Sequence, residues 1–266
     1  MKFTLITGAS GGIGETFARK LAAEKHNLVL VARSENKLHE LCDELMLKHQ
    51  ITAHYIATDL TDFEADKLIF EETEAHGMEV DWLINNAGFG SMGDFAEEDL
   101  ERNLEMISLN VMALVALTHR FLQKMRERKS GTIINISSSA SFQPIPYMAT
   151  YAATKAFVTS FSEAIAEENR AFNIKVLACC PGATATNFFD AAGMNEPFAV
   201  KGVQTSEQVV DETLRAVKRG KTRVITGWAN WIGAYAANIA PNSFVTKSIA
   251  SQLRPRLSKI LKKNNE

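Results

Sequence analysis

A chain of 266 residues that is 46% apolar can build a substantial core, and suits one large α/β domain better than two small ones. Its net charge of −2 gives no global field for a polyanion, so nucleic acid is not expected as a partner. Three cysteines, Cys42, Cys179 and Cys180, make neither a disulfide framework nor a metal-ligand spacing, which leaves a metal-free protein of the reducing cytoplasm acting on small molecules.

The N-terminal Met1–Ile6 is too short an apolar run for a signal segment, and the stretch from Trp228 to Ala240 is too short to span a bilayer and is broken by Asn230, Gly233 and Asn238, so a soluble protein is expected. Phe3–Ile6 reads as a strand, followed by the turn Thr7-Gly8-Ala9-Ser10-Gly11-Gly12-Ile13-Gly14 and a helical pattern from Glu15 to Lys25. A strand, a glycine turn and a helix N-terminus form a cradle for a pyrophosphate, because only glycine lets backbone N–H groups approach the anion closely. Gly8, Ser10, Gly12, Ile13 and Gly14 are therefore candidate contacts for a dinucleotide.

Asn27–Arg33 is a continuous apolar strand of the kind buried on both faces of a parallel sheet. An acidic residue at its end would bind the 2′-hydroxyl of NAD(H); here Ala32, Arg33 and Ser34 stand instead, a set that accepts a 2′-phosphate and favours NADP(H) over NAD(H). A helix from Ser34 to about His49 leads to a third strand, Thr52–Ala57, which delivers Thr58-Asp59-Leu60 to the same edge. Asp59 can accept from an adenine amino group or cap the next helix, Glu64–Ala75. Strand Val80–Ile84 then runs into Asn85-Asn86-Ala87-Gly88, small enough for the backbone of Asn86, Ala87 and Gly88 to lie on the adenosine side of the ligand.

Leu100–Arg128 is long and mostly helical, with Asn110 inside an apolar run, where a buried amide needs partners. Gly131 opens a strand ending in Ser137-Ser138-Ser139, and Tyr151–Asn169 follows as an Ala-rich helix that puts Tyr151 and Lys155 on one face. An ammonium beside a phenol favours the phenolate, so the pair can exchange a proton near neutral pH, with Ser138 holding the substrate oxygen. Ile174–Cys180 is a strand that ends in a loop whose Pro181, Gly182, Thr184 and Thr186 can close over nicotinamide and phosphates. A helix over Thr213–Arg219 and a strand over Lys221–Thr226 complete seven alternations, which define a single-domain, Rossmann-type doubly wound parallel sheet over the whole chain, residues 1–266.

Together TGASGGIG, Asp59, NNAG, Asn110, Ser138, Tyr151/Lys155 and PGATAT resemble the short-chain dehydrogenase/reductases over about residues 3–226. The resemblance implies a Ser-Tyr-Lys site assisted by Asn. Tyr151 would give a proton to the carbonyl oxygen, Lys155 would lower the tyrosine pKa and bind the nicotinamide ribose, and Asn110 would hold a water linking Lys155 to solvent. It also implies homodimers or homotetramers joined through the helices at 100–128 and 151–169. The chain departs from the pattern at Gly11, where NADP-preferring members often carry a basic residue, and at Thr184, where an aliphatic residue is usual. Residues 186–205 are expected to form a substrate lid carrying Phe188 and Phe189, which with Phe142 and Tyr147 favour an apolar carbonyl compound. Residues 228–266 read as an amphipathic basic extension, expected to pack on its own chain in preference to a membrane surface. The expected activity is NADPH-dependent reduction of a ketone or aldehyde; the alternatives are a redox sensor without turnover and an NAD-dependent alcohol dehydrogenase.

Overall fold

The computed structural model describes residues 1–186 and 203–264, except the side chains of Asn238 and 256–264. Among them, seven strands lie parallel in one sheet: β1 (Lys2–Thr7), β2 (Asn27–Ala32), β3 (Ala53–Ala57), β4 (Glu79–Asn85), β5 (Gly131–Ile136), β6 (Ile174–Cys180) and β7 (Arg223–Ile225). They are ordered β3-β2-β1-β4-β5-β6-β7. The chain builds outward from β1 to one edge, then returns to β4 and builds to the other. This reversal sets the C-terminal ends of β1 and β4 side by side, and the crevice between them is where a doubly wound sheet binds its ligand.

Two cores, one on each face, fix the register. In β2, Leu28, Leu30 and Ala32 join one core while Val29 and Val31 join the other, so a slip of one residue would exchange every side chain between them. On the first face pack α1 (Gly12–Ala23) through Phe17, Ala18, Leu21 and Ala22, α2 (Glu35–His49) through Leu38, Leu41 and Leu45, and, after the helices described next, α7 (Ser206–Lys218) through Val209, Val210 and Leu214. The other face is covered by α3 (Ala65–Ala75), α5 (Leu114–Arg128) and α6 (Ala149–Glu168), through Ile69, Leu117, Phe121, Met125 and Ile165. Each large apolar side chain so buried contributes about 1.5–3 kcal/mol, which is why the helical stripes, and not local propensity, decide these elements.

The run from Leu100 to Arg128 is not one regular helix. It divides into α4 (Leu100–Ile107), a wide π turn over Ser108–Ala113, and α5, with Asn110 buried in the wide turn. By length and composition this run could cross a membrane; in the fold it lies on the sheet through Leu117, Phe121 and Met125. α7 begins well before Thr213, because Thr205 and Gln208 form a capping box that satisfies the first N–H groups of the helix.

Beyond β7, α8 (Trp228–Ile239) and α9 (Asn242–Asn264) follow one another. α8 packs through Ala234 against Ala178, Cys180 and Ile225, and Leu253 of α9 is also buried. The extension therefore does pack on its own chain, though only by a narrow strip.

Candidate active site

β5 ends at Ile136, and the next two serines part company. Ser137 is buried and turns toward α6, where its hydroxyl donates to the Lys155 carbonyl at 2.8 Å and pairs with Thr159 at 2.7 Å. Ser138 turns the other way, accepts from Ala140 N–H at 3.1 Å, and hydrogen-bonds the Tyr151 phenol. The two-residue period of the strand thus selects Ser138, as the thirteen-residue spacing to Tyr151 predicts.

Tyr151 and Lys155, one turn apart on α6, are both buried. The Lys155 Nζ lies 5.9 Å from the centroid of the Tyr151 ring and donates to the Ile136 carbonyl at 2.9 Å. The titration expected from the sequence is corrected here: burial pushes the Tyr151 phenol up to about 12, the Ser138 hydrogen bond working against it. Burial also brings the Lys155 ammonium down to about 8. Burial dominates both groups because taking each out of water disfavours its charged form. At neutral pH the tyrosine keeps its proton, and a cation close by can stabilise the phenolate once that proton leaves.

Asn110 is fully engaged with protein. Its Nδ2 donates to the Phe89 carbonyl at 2.9 Å and to Thr154 Oγ1 at 3.1 Å, while its Oδ1 accepts from Phe89 N–H at 3.1 Å. The side chain clasps the loop after β4 to α6 and fixes Gly88, where any Cβ would stand 2.7 Å from Asn110 Oδ1 and 3.4 Å from Lys155 Nζ. Asn110→Ala strips partners from the partly buried N–H and carbonyl of Phe89 and from the buried Thr154, so a loss of about 1–3 kcal/mol in unfolding free energy is expected by urea titration; a loss under about 0.5 kcal/mol would remove this clasp.

The glycine turn is equally confined. Gly8 and Gly12 have φ of 64° and 58°, and a Cβ on Gly14 would stand 2.3 Å from the Gly8 carbonyl oxygen. Thr7 Oγ1 accepts from the N–H groups of Asn86 and Ala87 at 2.9 and 3.0 Å, and Asn86 Nδ2 donates to the carbonyls of Thr7 and Gly8 at 3.0 and 3.2 Å, locking the ends of β1 and β4 together. Thr186 lies against Gly12, so the loop after β6 reaches over the turn. The same loop is held from behind, with a Cβ at Gly182 excluded by the Asn230 side chain of α8 and Thr184 Oγ1 donating to the Gly182 carbonyl at 3.1 Å. Pro181 accepts from Ser139 N–H at 2.7 Å, which joins this loop to the segment that carries Ser138.

A cavity of about 590 Å³ opens beside the turn, lined by Ser10, Gly11, Gly12, Lys37 and Thr186 among others. Its outer wall carries Glu15, Glu40, Glu44 and Glu207, with Arg19 bound to Glu15 and Glu44, so only the edge at Ser10–Gly12 and Lys37 suits a phosphate. Arg33 is exposed and 3.6 Å from Asp59. Burial would raise the Asp59 carboxyl, but the Thr61 N–H and hydroxyl and the Arg33 guanidinium hold it below its ordinary value. Ser34 precedes α2 without capping it through its side chain, Ile13 packs partly on the first core, and Leu60 sends its side chain into the other.

Of the residues expected to meet substrate, Phe188 and Phe189 lie outside the described residues, as does most of the 186–205 lid. Phe142 is turned away: it packs on the Ala178, Cys180, Ile225 and Ala234 cluster under the Arg223 guanidinium. Tyr147, at φ 66°, uses its phenol oxygen to accept from Arg254 Nε of α9 at 3.1 Å. The apolar side chains that do surround Tyr151 are Phe89, Ile145 and Met148, with Met106 and Ala140. Phe89 directly follows NNAG, a position at which the sequence signals only a turn.

A parallel sheet with a glycine turn at its switch point, beside a buried serine, tyrosine and lysine, defines a dinucleotide-linked oxidoreductase fold. The model of the short chain dehydrogenase family matches residues 2–197, and the chain belongs to that family. It is 31% identical to a very-long-chain 3-oxoacyl-CoA reductase of Rattus norvegicus over 99% of this chain and 84% of the relative. The corresponding Mus musculus protein matches at 33% over 70% of this chain and 60% of its own length. A 7beta-hydroxysteroid dehydrogenase of Mediterraneibacter gnavus is 31% identical over 85% of this chain and 86% of the relative. Among solved structures, a short-chain dehydrogenase from Sphingobium yanoikuyae in complex with NADPH superposes with a TM-score of 0.81 at 31% identity, over 89% of this chain and 93% of the other.

Proposed function

We propose that this chain reduces the carbonyl of an apolar substrate with NADPH, and the observation that carries the reading is the buried Tyr151 phenol hydrogen-bonded to Ser138 beside Lys155. The residues fit the dinucleotide: a Cβ would fill the cradle at Gly8 and Gly14, and Arg33 and Lys37 border its far end. When bound, the nicotinamide supplies the hydride. Ser138 and Tyr151 present hydroxyls from one side, and together they can orient a carbonyl oxygen. Tyr151 transfers its proton to that oxygen as negative charge develops there, and the Lys155 ammonium stabilises the phenolate left behind. Lys155 is held for that role by the Ile136 carbonyl, and the Asn110 clasp keeps the Gly88 backbone pressed against it.

An apolar substrate is supported by the Phe89, Ile145 and Met148 lining, and by relatives named for 3-oxoacyl-CoA and hydroxysteroid substrates. Exposed Leu100, Leu104, Ile107, Met112 and Phe157 on α4, the wide turn and α6 support association with a second copy. Free, buried cysteines suit a reducing compartment such as the cytoplasm.

The test is NADPH and NADH oxidation by the purified protein with 3-oxoacyl thioesters, steroid-type ketones and bulky aryl ketones, and turnover on none of them would overturn the reading. Arg33→Asp removes the guanidinium and puts a carboxylate where a 2′-phosphate would lie. The NADPH-to-NADH ratio of kcat/KM is expected to fall roughly 10- to 100-fold, and an unchanged ratio would move the 2′-phosphate away from Arg33.

A further inference from the structure

α8 carries its large apolar side chains on the wrong side for a core. Trp228, Trp231, Ile232, Tyr235 and Ile239 recur at helical spacing on one face, and all of them are exposed, Trp228 by 79% and Ile239 by 85%. The opposite face is the one used for packing, through Ala234. Trp231 and Tyr235 pack against each other with ring centroids 4.6 Å apart and planes tilted by 45°, and Phe244, 68% exposed, opens α9 beyond the joint at Pro241. From Trp228 to Asn264 the sequence holds Lys247, Arg254, Arg256, Lys259, Lys262 and Lys263 and no acidic residue, whereas the rest of the chain is net acidic.

We infer that α8 and α9 form a docking face for an anionic phospholipid bilayer. Exposed tryptophan and tyrosine with adjacent isoleucines suit the boundary between headgroups and acyl chains, where an amphipathic ring is apolar at one end and wet at the other. The sequence that follows the stripe, acid-free to Asn264 and carrying six cations, complements anionic headgroups in charge. A second copy is the poorer occupant. In a two-fold contact the same acid-free stretch is brought toward its own copy, and it holds no carboxylate to offset the repulsion between like charges. Among the described residues neither helix is long and apolar enough to cross the bilayer, so the face would lie on it.

The same two helices border the catalytic cleft. Asn230 of α8 blocks any side chain at Gly182, and Arg254 of α9 holds Tyr147 on the loop before α6. Docking would set the cleft at the lipid surface, within reach of an apolar substrate dissolved there. The docking itself does not depend on the proposed activity.

The experiment is sedimentation of the full chain with vesicles of phosphatidylcholine alone and with vesicles containing about one third phosphatidylglycerol. The protein is expected to sediment with the anionic vesicles and to be released by high salt. Neutralising three cations in K259Q/K262Q/K263Q should lower partitioning roughly 100-fold, and W228S/I239S should lower it at least about tenfold. W228S/I239S changes exposed side chains and K259Q/K262Q/K263Q substitutes one good helix former for another, so both should keep the wild-type melting temperature; I232S replaces the apolar variant should it fail to fold. Absence of sedimentation, or equal sedimentation on both vesicle types, would overturn the inference. So would W228S/I239S turning a dimer into a monomer with vesicle binding intact, which would give the stripe to a second copy.

Discussion

Replacing Tyr151 with phenylalanine is expected to lower the rate of carbonyl reduction by roughly 10²- to 10⁴-fold while dinucleotide affinity changes by less than about threefold. The ring would still pack on Met106 and Ala140, so the fold should survive, with about 1 kcal/mol lost for the missing bond to Ser138. Steady-state rates and fluorescence titration of the dinucleotide separate the two effects. The wild-type rate should also depend on pH in one direction. Below about 8 Lys155 is an ammonium and can stabilise the developing phenolate; above about 8 it is neutral and the rate should fall. Full activity in Tyr151→Phe would remove Tyr151 as the acid, and a flat profile between pH 7 and 10 would remove Lys155 from the same step.

Gly14→Ala should be as damaging by another route. Its Cβ would lie 2.3 Å from the Gly8 carbonyl oxygen and 2.6 Å from Asn86 Nδ2, neither of which can yield without opening the joint between β1 and β4. A loss of about 1–3 kcal/mol in stability is expected, together with dinucleotide affinity reduced more than about tenfold, since the N–H groups of the turn would no longer converge. Gly11→Ala is the control. Its backbone is extended and nothing lies within 4 Å of the added Cβ, so denaturation midpoint and affinity should stay close to wild type. Equal behaviour of the two variants would deny the cradle its role.

The elements that positioned the site were legible because each carries a physical signature in local sequence. A strand, a glycine turn and a helix can be read without partners, and the four-residue spacing of Tyr151 and Lys155 already sets them on one face. What escaped depends on distant contacts. The wide turn around Asn110 exists because Phe89 and Thr154, far apart in sequence, both claim its amide. Phe142 looks available on its loop until β7 and α8 bring Arg223 and Ala234 over it. The phenol was expected to be acidified by Lys155, but proximity along a helix says nothing of burial, and burial decides both titrations. One miss was avoidable: Thr205-Ser206-Glu207-Gln208 is a capping box in plain sight and marks the start of α7.

Gln204 joins the two described stretches that flank residues 187–202. Its backbone bonds to Ala183 and Ala185 at 3.0 and 2.9 Å, and its side chain bridges Thr226 and Glu212 at 2.7 and 2.9 Å. Exit and return of the chain are therefore clamped to the same few atoms at the edge of the sheet. For evolution or an engineer this is a socket: segments of other lengths can be set between the clamped ends, each doubling in length adding only about 0.6 kcal/mol of closure entropy. Such an exchange would leave the sheet and the Ser138, Tyr151 and Lys155 cluster unchanged.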